Sequence, residues 1–329
     1  MAFIVETFDI TMSPVMKVTI EDKSGSNHRA VLKLYDRRFG CDLRDVLGKH
    51  ARLTSEDEAI FQSFVERGEI GPFLQELEEQ QRTELFPPRP HYQLDDPSEG
   101  PSEDPSKGQA RYEAALWQAC GELYDCETKA YARLKDVQGS SIPRLYAHVR
   151  LVRFPADVPQ DLLQDPQTAR YFEIKGILLQ LIPGYNLRNI HTSPLGPSDT
   201  NMWSTIVQSA VDAAHDINKR GVIMEDCQPR NVMVDQHSHS PFLIDLAQCT
   251  FKDDLIELWG TENEEEEEEA EGWPPEVKYW DLVRSRGNHC AIGAVMTKRL
   301  ENDRGIKLNI QYPNCDKLVE DALEGKQVV

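Results

Sequence analysis

The stretch "GVIMEDCQPRNVMVDQHSHSPFLIDLAQC", residues 221–249, decides how the rest of the chain is read. Two short apolar runs, residues 232–234 and 242–244, flank the polar "DQHSHSP" and predict a β-hairpin. Its open end brings together Asn231, just before the first strand, and Asp245, just after the second, while Asp226 lies in the loop upstream. Three oxygen-bearing side chains therefore converge at the rim of a sheet. That donor set suits a hard cation such as Mg²⁺, which takes oxygen ligands and keeps waters or phosphate oxygens in its shell.

Upstream of the hairpin, Ile206, Val207, Ala210, Val211, Ala214 and Ile217 recur at intervals of three and four, predicting an amphipathic helix that stops at Gly221. "YFEIKGILLQLIPGYNL" (171–187) reads as a buried strand ending in a Pro-Gly break. "VMKVTIED" and "RAVLKLYDRR" have β-branched, alternating character and are joined by the turn-like "KSGSN", predicting an antiparallel pair near the N-terminus. Residues 55–85 predict two helices, the first capped by Ser55, with a break at Gly71-Pro72. Residues 109–137 predict a long helix with Leu116, Ala119, Cys120, Leu123, Ala130, Tyr131 and Leu134 along one stripe.

Composition sets the limits. A chain of 329 residues can bury a sizeable core, either as a two-lobed domain with one long insertion or as two small domains. Its formal charge of −20 argues against nucleic acid or an anionic membrane as a partner, since both need a basic face. No signal-peptide pattern or membrane-length apolar run is visible, so the expectation is an intracellular, cytoplasmic protein. Seven cysteines without metal-ligand spacing read as reduced thiols. Residues 86–110, "FPPRPHYQLDDPSEGPSEDPSKGQA", have almost no aliphatic side chains and predict a disordered linker. The glutamate run at 264–269 predicts a solvated acidic loop within about 260–272.

The spacing in "MEDCQPRN" (224–231), with an aspartate five positions before an asparagine, resembles the catalytic loop of the protein-kinase-like superfamily, H-R-D-L-x-x-x-N. Fourteen residues further on, "IDLA" falls where that family has its metal-binding D-F-G. The chain is most similar in style to fungal protein-kinase-like proteins and, more distantly, to aminoglycoside and choline phosphotransferases. The resemblance implies an α+β, bilobal fold. Residues 1–182 would form an N-lobe with a small antiparallel sheet and a helical insertion plus linker at about 41–111. Residues 183–329 would form a mainly helical C-lobe.

It also implies roles. Asp226 would orient or deprotonate an acceptor hydroxyl, and Asn231 and Asp245 would hold Mg²⁺ against the phosphates of ATP. Lys33 in "AVLKLYDRR" would contact those phosphates and pair with a helix glutamate, Glu127 rather than Glu122. The backbone around Gln180 and Ile182 would meet the adenine edge, and Asp281 in "EVKYWDLVRSRGNHCAIGAVMTKRL" would brace the catalytic loop. The implied activity is transfer of the γ-phosphate to a hydroxyl of a protein or small molecule, with a protein partner engaging the insertion. Against this, Met224 stands in place of the family's histidine, only Gly25 represents the glycine-rich loop, and no A-P-E follows Asp245. Those departures imply the alternative of a pseudokinase, a nucleotide- or protein-binding module.

Overall fold

A computed structural model describes residues 2–8, 12–21, 24–40, 42–46, 49–83, 90, 105–152, 158, 160–261 and 273–326. The fold is α+β, with an antiparallel five-stranded sheet and many helices. It divides into two compact units: Met1–Asp125 with Leu145–Leu181, and Cys126–Arg144 with Ile182–Val329. Among the described residues no helix is long and apolar enough to cross a membrane.

The first unit contains β1 (Ala2–Thr7), β2 (Val15–Glu21), β3 (Asn27–Tyr35), β4 (Asp45–Val46), β5 (Lys49–His50), α1 (Ser55–Glu66), α2 (Ile70–Thr83) and the start of α3 (Pro105–Arg133). After α3 come β6 (Leu145–Val152), α4 (Gln160–Gln164), α5 (Pro166–Ala169) and β7 (Glu173–Gln180). The sheet order is β1-β2-β3-β7-β6, all antiparallel, so the expected β2–β3 pair is joined on both sides. Alternation sends Met16, Val18, Ala30 and Leu34 to one buried face with Ile174. A second cluster packs Phe61, Phe64, Val65, Ile70, Phe73 and Leu77 of α1 and α2 against Ala110, Ala114 and Ala115 of α3.

Beside that cluster sits a buried ionic knot. The Glu113 carboxylate accepts from Arg44 Nη1 at 3.0 Å and Nη2 at 2.6 Å, and from Arg37, which also reaches Glu58 at 2.5 Å. Glu113 is fully buried and both arginines nearly so, an arrangement that low-dielectric surroundings tolerate only when the charges are paired.

Several local expectations need correction here. The cap of α1 is Thr54, not Ser55: its hydroxyl accepts from Asp57 N–H, and the Asp57 carboxylate accepts from Thr54 N–H, a reciprocal capping box. The break between the helices falls at residues 67–69, where Gly68 has φ +69°, while Gly71 and Pro72 lie in the first turn of α2, where a missing N–H costs nothing. Residues 105–110 of the expected linker belong to α3, since Ala110 is buried in the helical cluster. The rest of that linker, apart from Pro90, and the acidic run at 264–269 lie outside the described residues.

The second unit contains the end of α3, then β8 (Gly184–Asn186), α6 (Asn201–Lys219), β9 (Val222–Met224), β10 (Val232–Asp235), β11 (Pro241–Leu243) and β12 (Cys249–Phe251). It ends with α7 (Lys252–Thr261), α8 (Pro275–Arg286), α9 (Asn288–Arg304) and α10 (Cys315–Leu323). The expected stripe of α6 is buried throughout, and Trp203 joins it. The stretch "EVKYWDLVRSRGNHCAIGAVMTKRL" folds as two helices, α8 and α9, separated at Gly287 with φ +58°, a left-handed conformation that glycine adopts without a Cβ clash. Residues 126–144, read from sequence as part of the first lobe, group with this unit. Their partners explain why: Lys129 pairs with Asp254, Arg133 with Asp253, and Ser141 O accepts from Leu243 N–H.

Candidate functional site

The hairpin of the opening stretch forms as expected, with Val232 opposite Leu243 and Val234 opposite Pro241. β8 flanks it on the other side, and a Cβ on Gly184 would meet the Val234 carbonyl oxygen at 1.8 Å, so only glycine permits that approach. The ladder extends one bond further, because Ile244 N–H donates to Asn231 O at 2.9 Å. Asn231 and Asp245 thus leave the end of one hairpin side by side.

Asn231 is buried and locked to Asp226. Its Nδ2 donates to the Asp226 backbone oxygen at 2.9 Å and to the carboxylate Oδ2 at 2.8 Å. With both amide hydrogens committed, Asn231 Oδ1 is left as an oxygen donor, the atom a hard cation would use. The other carboxylate oxygen of Asp226 accepts from Arg230 Nη2 at 2.6 Å. Arg230 was not foreseen, although a guanidinium four residues after Asp226 is visible in the stretch; the loop's turn at Pro229 folds it back.

Asp245 sits at φ +63°, in the left-handed region that a short polar side chain can visit at a cost on the order of 1 kcal/mol. The next residue is tied down: Leu246 N–H donates to the carboxylate of Glu127 at 3.3 Å. Glu127 is fully buried, on the last turns of α3. Tyr131, one turn later, has a buried hydroxyl with no hydrogen-bond partner among the described residues. Burial pushes its pKa well up, and the carboxylates of Glu127 and Asp245 add to the shift.

The loop is braced from behind by amides. Asn288, buried at the start of α9, donates to Met224 O, and its own Oδ1 accepts from Asn218 Nδ2 at 3.1 Å. Asn218 Nδ2 also donates to Val222 O at 3.0 Å, and Tyr279 OH donates to Asn218 O at 2.7 Å. This network corrects the expectation for Asp281, which pairs with Arg284 on the surface and has no contact with the loop among the bonds described. No local sequence signal marks Asn288, because its partners lie 64 and 70 residues away. Met224 is 2 % exposed and packs as an apolar side chain whose backbone carries the bracing.

Lys33 and Gln180 belong to the first unit. Lys33 is buried on β3 opposite Ile177, and Gln180 ends β7 opposite Ala30. The Lys33 ammonium lies 5.6 Å from the Tyr35 ring centroid. The exposed Glu122 bonds with Gln118 at 3.1 Å, whereas the buried Glu127 reaches the backbone after Asp245. Ile182 is buried at the first position of the second unit's second segment.

Among the described residues no group of three His, Cys, Asp or Glu side chains could hold a metal ion. One carboxylate and one amide oxygen, from Asp245 and Asn231, are what the hairpin end offers. That sparse all-oxygen set fits Mg²⁺, which is commonly held by one or two protein ligands and otherwise by waters and phosphates. No model of a known protein family matches the sequence, and comparison with curated proteins returns no significant match.

Proposed function

We propose that the chain is an ATP- and Mg²⁺-dependent phosphotransferase of the protein-kinase-like superfamily, with a bilobal fold. The observation that carries this reading is the doubly anchored Asp226. Arg230 holds one carboxylate oxygen and Asn231 the other, beside a hairpin end that carries Asp245. A carboxylate held in one orientation can align an acceptor hydroxyl and take its proton as the phosphorus–oxygen bond forms. Arg230, more than half exposed, adds positive charge next to the position where phosphoryl charge would develop. Asn231 Oδ1 and the Asp245 carboxylate would hold Mg²⁺, which when bound neutralises phosphate charge. Lys33 would supply an ammonium to the same phosphates, Glu127 would be its partner, and the backbone near Gln180 and Ile182 would meet the adenine. The acceptor is a hydroxyl of a protein or small molecule.

Turnover of ATP by Asp226→Asn tests this directly. The substitution keeps the shape and the contact with Asn231 but removes the base, so ATP hydrolysis or transfer should fall by about 10²–10⁴-fold while nucleotide binding stays near wild type. Equal residual turnover in the two proteins would sink the assignment. Met224 favours a second reading, a pseudokinase that binds nucleotide or a protein partner. A thioether cannot supply the bonds of the histidine usual at that position, and in that case neither protein would turn over ATP.

A further inference from the structure

Cys126 and Cys249 face each other across the second unit, one on the last turns of α3 and the other opening β12. The backbone N–H of Cys249 donates to Cys126 Sγ at 3.2 Å, and the Cys126 thiol reaches the Cys249 carbonyl at 3.4 Å and the Leu246 carbonyl at 3.8 Å. Both residues are half-buried free cysteines, as is Cys290, whereas Cys120, Cys227 and Cys315 are buried.

We propose that Cys126 and Cys249 form a peroxide-sensitive dithiol that closes reversibly to a disulfide. In the first step the Cys126 thiolate attacks a hydroperoxide oxygen, the O–O bond breaks, and Cys126 becomes a sulfenic acid as water or an alcohol leaves. In the second, Cys249 sulfur attacks the sulfenyl sulfur, the S–O bond breaks, and the hydroxide leaves as water with the Cys249 proton. Two thiols and one hydroperoxide give one disulfide, one water and the reduced alcohol or a second water. The bond needs a sulfur separation of about 2.0 Å and closely spaced Cβ atoms, and Cys126 Sγ already lies against both backbone polar groups of Cys249.

The direction of attack follows from the contacts. The Cys249 side chain lowers the Cys126 pKa against the opposing effect of burial, and the Cys249 N–H and the Lys129 ammonium act in the same sense, while the adjacent Glu127 carboxylate raises it. The Cys126 side chain and burial push Cys249 the other way. Cys126 is therefore the more acidic of the two and the attacking sulfur, and Cys249 is the resolving thiol. Cys126 precedes Glu127, and Cys249 lies three residues after Leu246, so the disulfide would tie together the segments that the Glu127–Leu246 bond already joins. This chemistry holds whether or not the chain transfers phosphate.

The test is peptide mapping of the full-length native protein after hydrogen peroxide, quenching, unfolding and alkylation with N-ethylmaleimide. The expected product is about 2 Da lighter than the reduced chain before alkylation, carries a Cys126–Cys249 linked peptide as the main cross-link, and reverts with dithiothreitol. In Cys249→Ser, a dimedone adduct should accumulate on Cys126. In Cys126→Ser, labelling of Cys249 should be about tenfold slower or more. Full alkylation of both cysteines after peroxide, or cross-links that pair other cysteines equally, would overturn the proposal. If Cys249→Ser does not fold, the wild-type map still decides.

Discussion

Replacing Asn288 by alanine should unfold the second unit well before the first. Asn288 is 3 % exposed, donates to Met224 O and accepts from Asn218 Nδ2, so its removal strands one donor and one acceptor inside the unit. Each buried group left without a partner costs about 1–3 kcal/mol, and Asn218 keeps one bond, to Val222 O. The expected loss is therefore about 2–4 kcal/mol. For a urea dependence of about 2 kcal/mol/M, the midpoint should fall by about 1–2 M. Tryptophan fluorescence is the right probe, because Trp203, Trp259, Trp273 and Trp280 all belong to this unit and Trp117 alone to the other. The control is Asp281→Ala, which breaks only a surface pair with Arg284 and should cost at most about 0.5 kcal/mol. A midpoint shift for Asn288→Ala no larger than that of Asp281→Ala would refute the assignment of the brace.

Three other substitutions probe separate parts of the account. Glu113→Ala leaves the Arg37 and Arg44 guanidiniums buried without their shared carboxylate, and calorimetry should show a loss of about 3–5 kcal/mol from the first unit. Asp235 accepts from the N–H groups of His237 and Ser238 at 2.9 and 2.8 Å; burial raises its pKa, but these bonds outweigh it and hold the group below the usual carboxylate range. A depressed carboxylate stabilises the fold above its unfolded pKa of about 3.9 and loses that contribution as pH falls through the folded value. Asp235→Ala should thus cost about 1 kcal/mol at pH 7 by urea titration, and its difference from wild type should shrink as the pH falls through the depressed folded-state value. Arg230→Ala frees one oxygen of Asp226, and on the phosphotransfer reading kcat should drop on the order of 10- to 100-fold with little change in nucleotide affinity.

What could be read from sequence was whatever repeats at short range. The α6 stripe, the β2–β3 pair and the 232–244 hairpin follow from periodicity and turn chemistry, and Asn231 meets Asp226 because five residues of loop can close on themselves. Boundaries were less legible. Thr54 and Ser55 are both plausible caps until Asp57 selects between them, and Pro72 looks like a breaker although the first turn of a helix accepts it. Low aliphatic content hid the start of α3, where Ala110 is the residue of the expected linker buried in the cluster of Phe61 and its neighbours. Long-range polar partners left no pattern at all. Asn288 and the Arg44–Glu113 pair are joined to their partners by tertiary packing, 64 and 69 residues away in the chain.

The most direct test of the phosphotransferase reading is a thermal-shift titration with ATP, with and without Mg²⁺, on wild type and Asp245→Asn. Asparagine tolerates the left-handed backbone of residue 245, so the substitution removes the charge without adding strain. At a ligand concentration of about 100 Kd, binding to the native state alone is worth about 2.7 kcal/mol. That corresponds to a rise in Tm of about 5–10 °C at about 2–4 °C per kcal/mol. The account predicts a rise that requires Mg²⁺ in wild type and is lost in Asp245→Asn. No rise at millimolar ATP, or one indifferent to both Mg²⁺ and the Asp245 charge, would contradict it.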